Sequence, residues 1–187
     1  LGSLNRSITG VTTSTIDVNR ASLQSGRTNT GPTTIAAAGN ADVLTIDVAT
    51  QRLEAGTKIA IEISKPTSEE RTFAVYEVTA ANIASANANN DIAAGVRAAI
   101  TATIGGMTTT GADINVGGAT NVINIANAAA TPAASVRTQI GGLAGVDMVD
   151  VTNATTAGES LRVIEAAIQA AIDAAAAMGS SAKRVEI

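Results

Sequence analysis

The sequence predicts an α+β protein: long N- and C-terminal helices packed antiparallel as a stalk, with a small β-rich module of ββαββ order inserted between them. Three observations predict it. Near the C-terminus, Leu161, Ile164, Ile168, Ala171, Ala175, Met178, Ala182 and Val185 recur at alternating spacings of three and four. That is the a/d seam of a helix that supercoils against partner helices. Near the N-terminus, Leu1, Leu4, Ile8, Val11, Thr15, Val18 and Ser22 repeat the spacing more weakly. Between the two, the apolar period falls to two, the mark of half-buried strands. The predicted division is 1–30 for the N-terminal part of the helical core, 31–152 for the β-rich module and 153–187 for the C-terminal helix.

Taken in order, residues 1–26 carry the weaker stripe, widened by Ile16 and Leu23, with Gly26 as a C-terminal stop. Gly10 and the Thr run lower helix propensity, so the alternative is an extended, Thr-rich arm. Residues 27–42 read as a loop. Residues 43–48 read as a strand, and 58–63 alternate cleanly with Ile59, Ile61 and Ile63 on one face. In 71–79, Phe73, Val75 and Glu77 share one face, and Ala74, Tyr76 and Val78 the other. Pro66 and the polar 67–70 turn join these strands as a hairpin.

Asn89, Asn90 and Asp91 offer N-cap side chains for a helix over 92–102, with Ile92, Val96, Ala99, Ile100 and Thr103 inward. A second hairpin, 113–116 with 121–125, turns at Gly117-Gly118. Thr131-Pro132 looks like a cap with Pro at the first helical position, which predicts a short helix to Ile140, closed by Gly141-Gly142. Residues 146–151 read as a last strand. The long helix then runs over 160–187 and is rich in Ala, the best helix former. It reaches the final Ile187 without Gly or Pro, so the helix is expected to continue beyond the sequence given.

Composition narrows function. The 187 residues suffice for an aliphatic core, but hold one Phe, one Tyr and no Trp. There is no Cys and no His, which removes thiol chemistry, zinc sites and His-based triads. A net charge of −4 without a basic cluster argues against nucleic acid. No apolar run approaches the ~20 residues of a membrane span, and no cleavable signal pattern opens the chain. The expectation is a structural or interaction protein, with no catalytic residue, cofactor or metal.

Residues 160–187 resemble the end of the filament-core domain of bacterial flagellin. The likeness is carried by the Ala/Ile helix, Met178-Gly179-Ser180-Ser181 and Lys183-Arg184-Val185-Glu186, and is nearest to flagellins of alphaproteobacterial type. Residues 3–18 are similar, less specifically, to the family's N-terminal core helix. The resemblance strictly covers about a quarter of the chain. It implies a truncated structural subunit of the flagellar filament, extracellular and exported without a cleavable signal, that polymerises with copies of itself when full length. It also implies an export chaperone and a cap as possible partners, and O-linked sugar on exposed Ser or Thr, with Thr108, Thr109 and Thr110 as candidates. Alternatives are a hook–filament junction protein of the same family, or an adhesin or glycan-binding module. The expected assembly residues are Leu161, Ile164, Ile168, Ala171, Ala175, Met178, Ala182, Val185 and Arg184, and Ile168→Asp is expected to undock the helix.

Other charged and polar positions have plainer readings. Glu159, Arg162, Glu165 and Asp173 dot a solvated helix face. Glu62, Glu69, Glu70 and Glu77 cluster in a hairpin but lack a calcium-loop pattern. Asn5 and Asn153 fit the N-glycosylation pattern by chance. Tyr76 has no base partner and reads as a core or rim residue.

Overall fold

The computed structural model describes residues 2–7, 10–15, 28–35, 41–65, 70–104, 114–127, 134–149, 151 and 154–185. Among these residues, nine strands and four helices follow in order: β1 (Gly2–Ser7), β2 (Gly10–Thr15), β3 (Thr28–Ile35), β4 (Ala41–Thr45), α1 (Val48–Gln51), β5 (Lys58–Lys65), β6 (Glu70–Glu77), α2 (Ala80–Ala84), α3 (Ala88–Ile104), β7 (Ile114–Gly117), β8 (Val122–Asn127), β9 (Ala134–Gly141) and α4 (Ala154–Val185). A 3₁₀ turn, Val146–Met148, leads towards α4.

The strands form three antiparallel sheets: β1–β2, β3–β9–β5–β6 and β4–β8–β7. The main core lies between the four-stranded sheet, α3 and the three-stranded sheet. It joins Ile59, Ile61 and Ile63 of β5, Val136 and Ile140 of β9, Ile92, Val96 and Ile100 of α3, and Ile123 and Ile125 of β8. Every one of these is aliphatic, as the near absence of aromatic residues requires. The opposite face of β5 presents Ala60, which packs with Ala144 and Met148.

Among the described residues there is no antiparallel helical stalk. Instead β1 and β2 pair antiparallel, Gly2 with Thr15 and Ser7 with Gly10. Thr and Ser populate this stretch, and Thr is stiff at χ1 and fits a pleated strand better than a helix. The three-four spacing there marks no packed helix face. Residues 16–27 lie outside the described residues. The remaining architecture is mixed, mostly sheet, with two long helices, 88–104 and 154–185.

Four further expectations change. Within 27–42, read as a loop, residues 28–35 are strand β3. The stretch 134–141, read as the body of a short helix, is β9, an inner strand bonded to both β3 and β5. Its side chains alternate, with Ala134, Val136, Thr138 and Ile140 buried. The stretch 146–148, read as strand, is the 3₁₀ turn that sinks Met148. Asn89, Asn90 and Asp91 fall inside the first turn of α3 rather than at its cap. Asn89 instead accepts a hydrogen bond from Val48 N at 2.9 Å, which ties α3 to α1.

The two hairpins form as read. Lys58 pairs with Glu77 and Glu62 with Phe73 across β5–β6, and Ile114 pairs with Asn127 across β7–β8. Gly118 has φ +116°, and a Cβ there would overlap the Val122 carbonyl, so that turn requires glycine. Arg97 reaches from α3 to the Val122 carbonyl at 2.7 Å and braces the same turn. Gly95 serves a different end. Its missing side chain leaves room for the Tyr76 ring against α3, while the Tyr76 hydroxyl donates to Asn82 Oδ1 at 3.0 Å.

The short α1 depends on Asp47, whose Oδ1 accepts from Ala49 N at 3.0 Å and Thr50 N at 3.1 Å. The Thr50 amide and hydroxyl bonds hold its carboxyl below the ordinary value of 3.8. A depressed folded-state value means that its contribution is full above about pH 4 and is lost as pH falls through the folded value. Asp47→Asn keeps the capping acceptor but not the charge. The expected result is a flatter dependence of melting midpoint on pH between about 2 and 5 than in the parent. A pH titration of both proteins by circular dichroism checks it.

Candidate assembly surface

α4 is 32 residues long, about 48 Å at 1.5 Å per residue. It lies over β6 and the 3₁₀ turn. Two parallel stripes run along it, offset by one residue. The first, Ser160, Val163, Ala167, Ala170, Ala174 and Ala177, is buried or half-buried; Ser160, Val163 and Ala174 are 1%, 6% and 3% exposed. Lys58 Nζ donates to the Ala166 carbonyl at 3.1 Å, pinning the helix to β5. This stripe, and not the bulkier one beside it, is the one that faces the body.

The second stripe is the a/d seam, and it points to solvent. Leu161, Ile168 and Met178 are 57%, 55% and 56% exposed, and Ile164 is 39% exposed. Ala171, Ala175 and Ala182 are exposed as well, and Ile172 widens the apolar band at 55% exposed. The side chains of Arg184 and Val185 lie outside those described. Thus one helix face gathers the expected assembly residues from 161 to 182, while a different face holds α4 to the body. Ile168→Asp, expected from the sequence to undock the helix, therefore changes an exposed position.

Charge sits on the side of the seam away from the docking stripe and on the outer face. Glu165 and Lys183 are exposed, and on the outer face Gln169 Nε2 donates to Asp173 Oδ1 at 2.8 Å. Of the four hairpin acids, Glu62 is buried with Arg71 Nε 2.7 Å from its Oε1, whereas Glu77 is exposed. Arg71 also donates to the Met148 carbonyl at 3.2 Å, so this pair clamps the hairpin to the 3₁₀ turn. Glu69 and Thr108, Thr109 and Thr110 lie outside the described residues. No group of three or more potential metal-ligating side chains is found among the described residues. Among them, too, no helix is long and apolar enough to cross a membrane.

Beneath α4 lies a cavity of about 570 Å³, bounded by Phe73 and Val75 of β6, Ala102 of α3, Leu143, and Val163, Ala166 and Ala167 of α4. Its shape follows from the docking stripe, because alanines are too short to reach the floor that β6 provides. Its ammonium group, Lys58 Nζ, is engaged by the Ala166 carbonyl. Filling the space should stabilise the fold. Ala167→Leu is expected to raise stability by about 1 kcal/mol, read as a higher melting midpoint. A lower midpoint would mean that the helix is already seated as closely as it can be.

No family model, curated protein or solved structure matches this chain.

Proposed function

We propose that the protein is a structural subunit of a flagellin-like filament, assembled through the seam of α4 against helices of neighbouring subunits. One observation carries the reading: a seam of regular heptad spacing, with four large apolar side chains between 39% and 57% exposed, on a helix already fixed to its own body by another face. Exposed apolar residues scattered singly need no explanation, but a contiguous band of this kind marks a surface for a partner. The likeness of residues 178–186 to the end of the flagellin core adds the kind of partner, further helices of the same type. The N-terminal part of that likeness lends no support, because β1 and β2 pair as strands.

The sheets and α3 would then be carried by α4 at the periphery of the polymer, where they govern surface properties. A heterologous contact that does not close generates an open fibre. Electron microscopy of the purified chain over a range of concentrations, with sedimentation velocity in parallel, tests this. Filaments or large open oligomers support the proposal, and a strict monomer at every concentration overturns it.

A further inference from the structure

We infer that the cavity beneath α4 binds a small monocarboxylate with an apolar body, its head group taken by Lys58. The inference does not rest on the assembly reading, because the cavity lies on the docking side of α4 while the seam points to solvent. Its volume of about 570 Å³ falls within the range of ordinary small-molecule sites, roughly 300–1,000 Å³. Its place in the fold explains why it stays open. β6 bonds to β5 alone, so no further strand continues the sheet beyond it. Val75 packs with the Ala60 cluster and Ala74 with the main core, so the two face opposite sides of the sheet. Both line the cavity, together with Ala102 of α3 and Ala166 of α4. The cavity therefore wraps the free edge of β6 between the two helices, and the alanines there are too short to fill it.

One group in this wall does not suit an empty apolar gap. Lys58 is 6% exposed, and an ammonium carries three donors. Among the described residues it makes one hydrogen bond, to the Ala166 carbonyl at 3.1 Å, and no ion pair. Its cross-strand neighbour Glu77 also lines the cavity, but is exposed. A buried charge without a counter-charge is costly, and a bound carboxylate removes that cost. Phe73, Val75, Leu143 and Val163 offer the surface for the apolar body. The same walls disfavour a polyanion, whose further charges would be desolvated without partners.

Isothermal titration calorimetry with octanoate tests this, with 1-octanol as the uncharged probe of equal chain length. One octanoate per chain is expected, bound at least tenfold more tightly than 1-octanol, as a hydrogen bond to a charged group implies. Lys58→Met should bind the two probes alike. Lys58 also holds α4, so a second variant keeps the ammonium and fills the space instead: Ala167→Leu should weaken octanoate binding at least tenfold, with helix content unchanged by circular dichroism. If Lys58→Met loses its fold, the two-probe comparison on the parent chain and Ala167→Leu still decide. Absence of binding, equal affinity of the parent for both probes, or a preference for octanoate that survives in Lys58→Met overturns the inference. Undiminished binding by Ala167→Leu also overturns it, and would place octanoate on the exposed seam. Filaments without octanoate binding would sink this inference and leave the assembly reading standing; octanoate binding by a strict monomer would do the reverse.

Discussion

Ile168→Asp is expected to leave the melting midpoint of the isolated subunit almost unchanged while abolishing self-assembly. Ile168 is 55% exposed, and surface substitutions away from special features stay within about 0.5 kcal/mol. In an interface the same carboxylate is desolvated at the centre of the apolar seam, where an unpaired charge costs several kcal/mol. Val163→Asp is the matching control. Val163 is 6% exposed on the docking stripe, and its replacement should strip α4 from the body with a loss of about 3 kcal/mol. Thermal melts by circular dichroism and sedimentation velocity on both variants separate the two faces. A large drop in midpoint for Ile168→Asp would show that the seam packs within the subunit after all.

Arg71→Met is expected to cost about 3 kcal/mol, the largest single loss on the sheet side. Glu62 lies buried in β5, its Oε1 2.7 Å from Arg71 Nε, and its Oε2 is buried with no hydrogen-bond partner among the described residues. The pair is thus an ion pair with one unsatisfied oxygen. Removing the cation strands a buried carboxylate, which is far more costly than never having built the pair. The double variant Glu62→Leu/Arg71→Met should recover most of the loss, because apolar replacements of buried pairs are often neutral or better. Chemical denaturation of the two singles and the double completes the cycle. Additive losses would mean that Arg71 acts through the Met148 carbonyl and not through Glu62.

Legibility of the sequence varied by element, for identifiable reasons. The β5–β6 and β7–β8 hairpins were readable because Ile59, Ile61 and Ile63, or Ile123 and Ile125, alternate without interruption, and a helix cannot hide a period of two. α3 was readable from Ile92, Val96 and Ile100 at helical spacing. The stretches 2–7 and 10–15 mislead because their apolar residues keep a three-four spacing, while the Thr and Ser between them favour strand. β9 misled because Thr131-Pro132 carries strong helix-start chemistry, although Val136, Thr138 and Ile140 alternate just beyond it. In α4 the helix was plain but its docking face was not. Two stripes of identical spacing lie one residue apart, and size alone pointed to the bulkier one. The alanine stripe is the one turned to the body, where Lys58 reaches a helix carbonyl.

The position of β9 carries a consequence for how the molecule is made. This inner strand joins partners far apart in the chain, Thr28 with Ile140 on one edge and Lys58 with Gly141 on the other. Contact order is therefore high, which places folding towards the slow end for a domain of this size. During synthesis at roughly 5–20 residues per second, β5 and β6 emerge and then wait on the order of seconds for β9. Through that interval one edge of β5, flanked by Ile59, Ile61 and Ile63, is an open template for a stray strand. Nascent chains should accordingly be most prone to aggregation before residue 141 has left the ribosome.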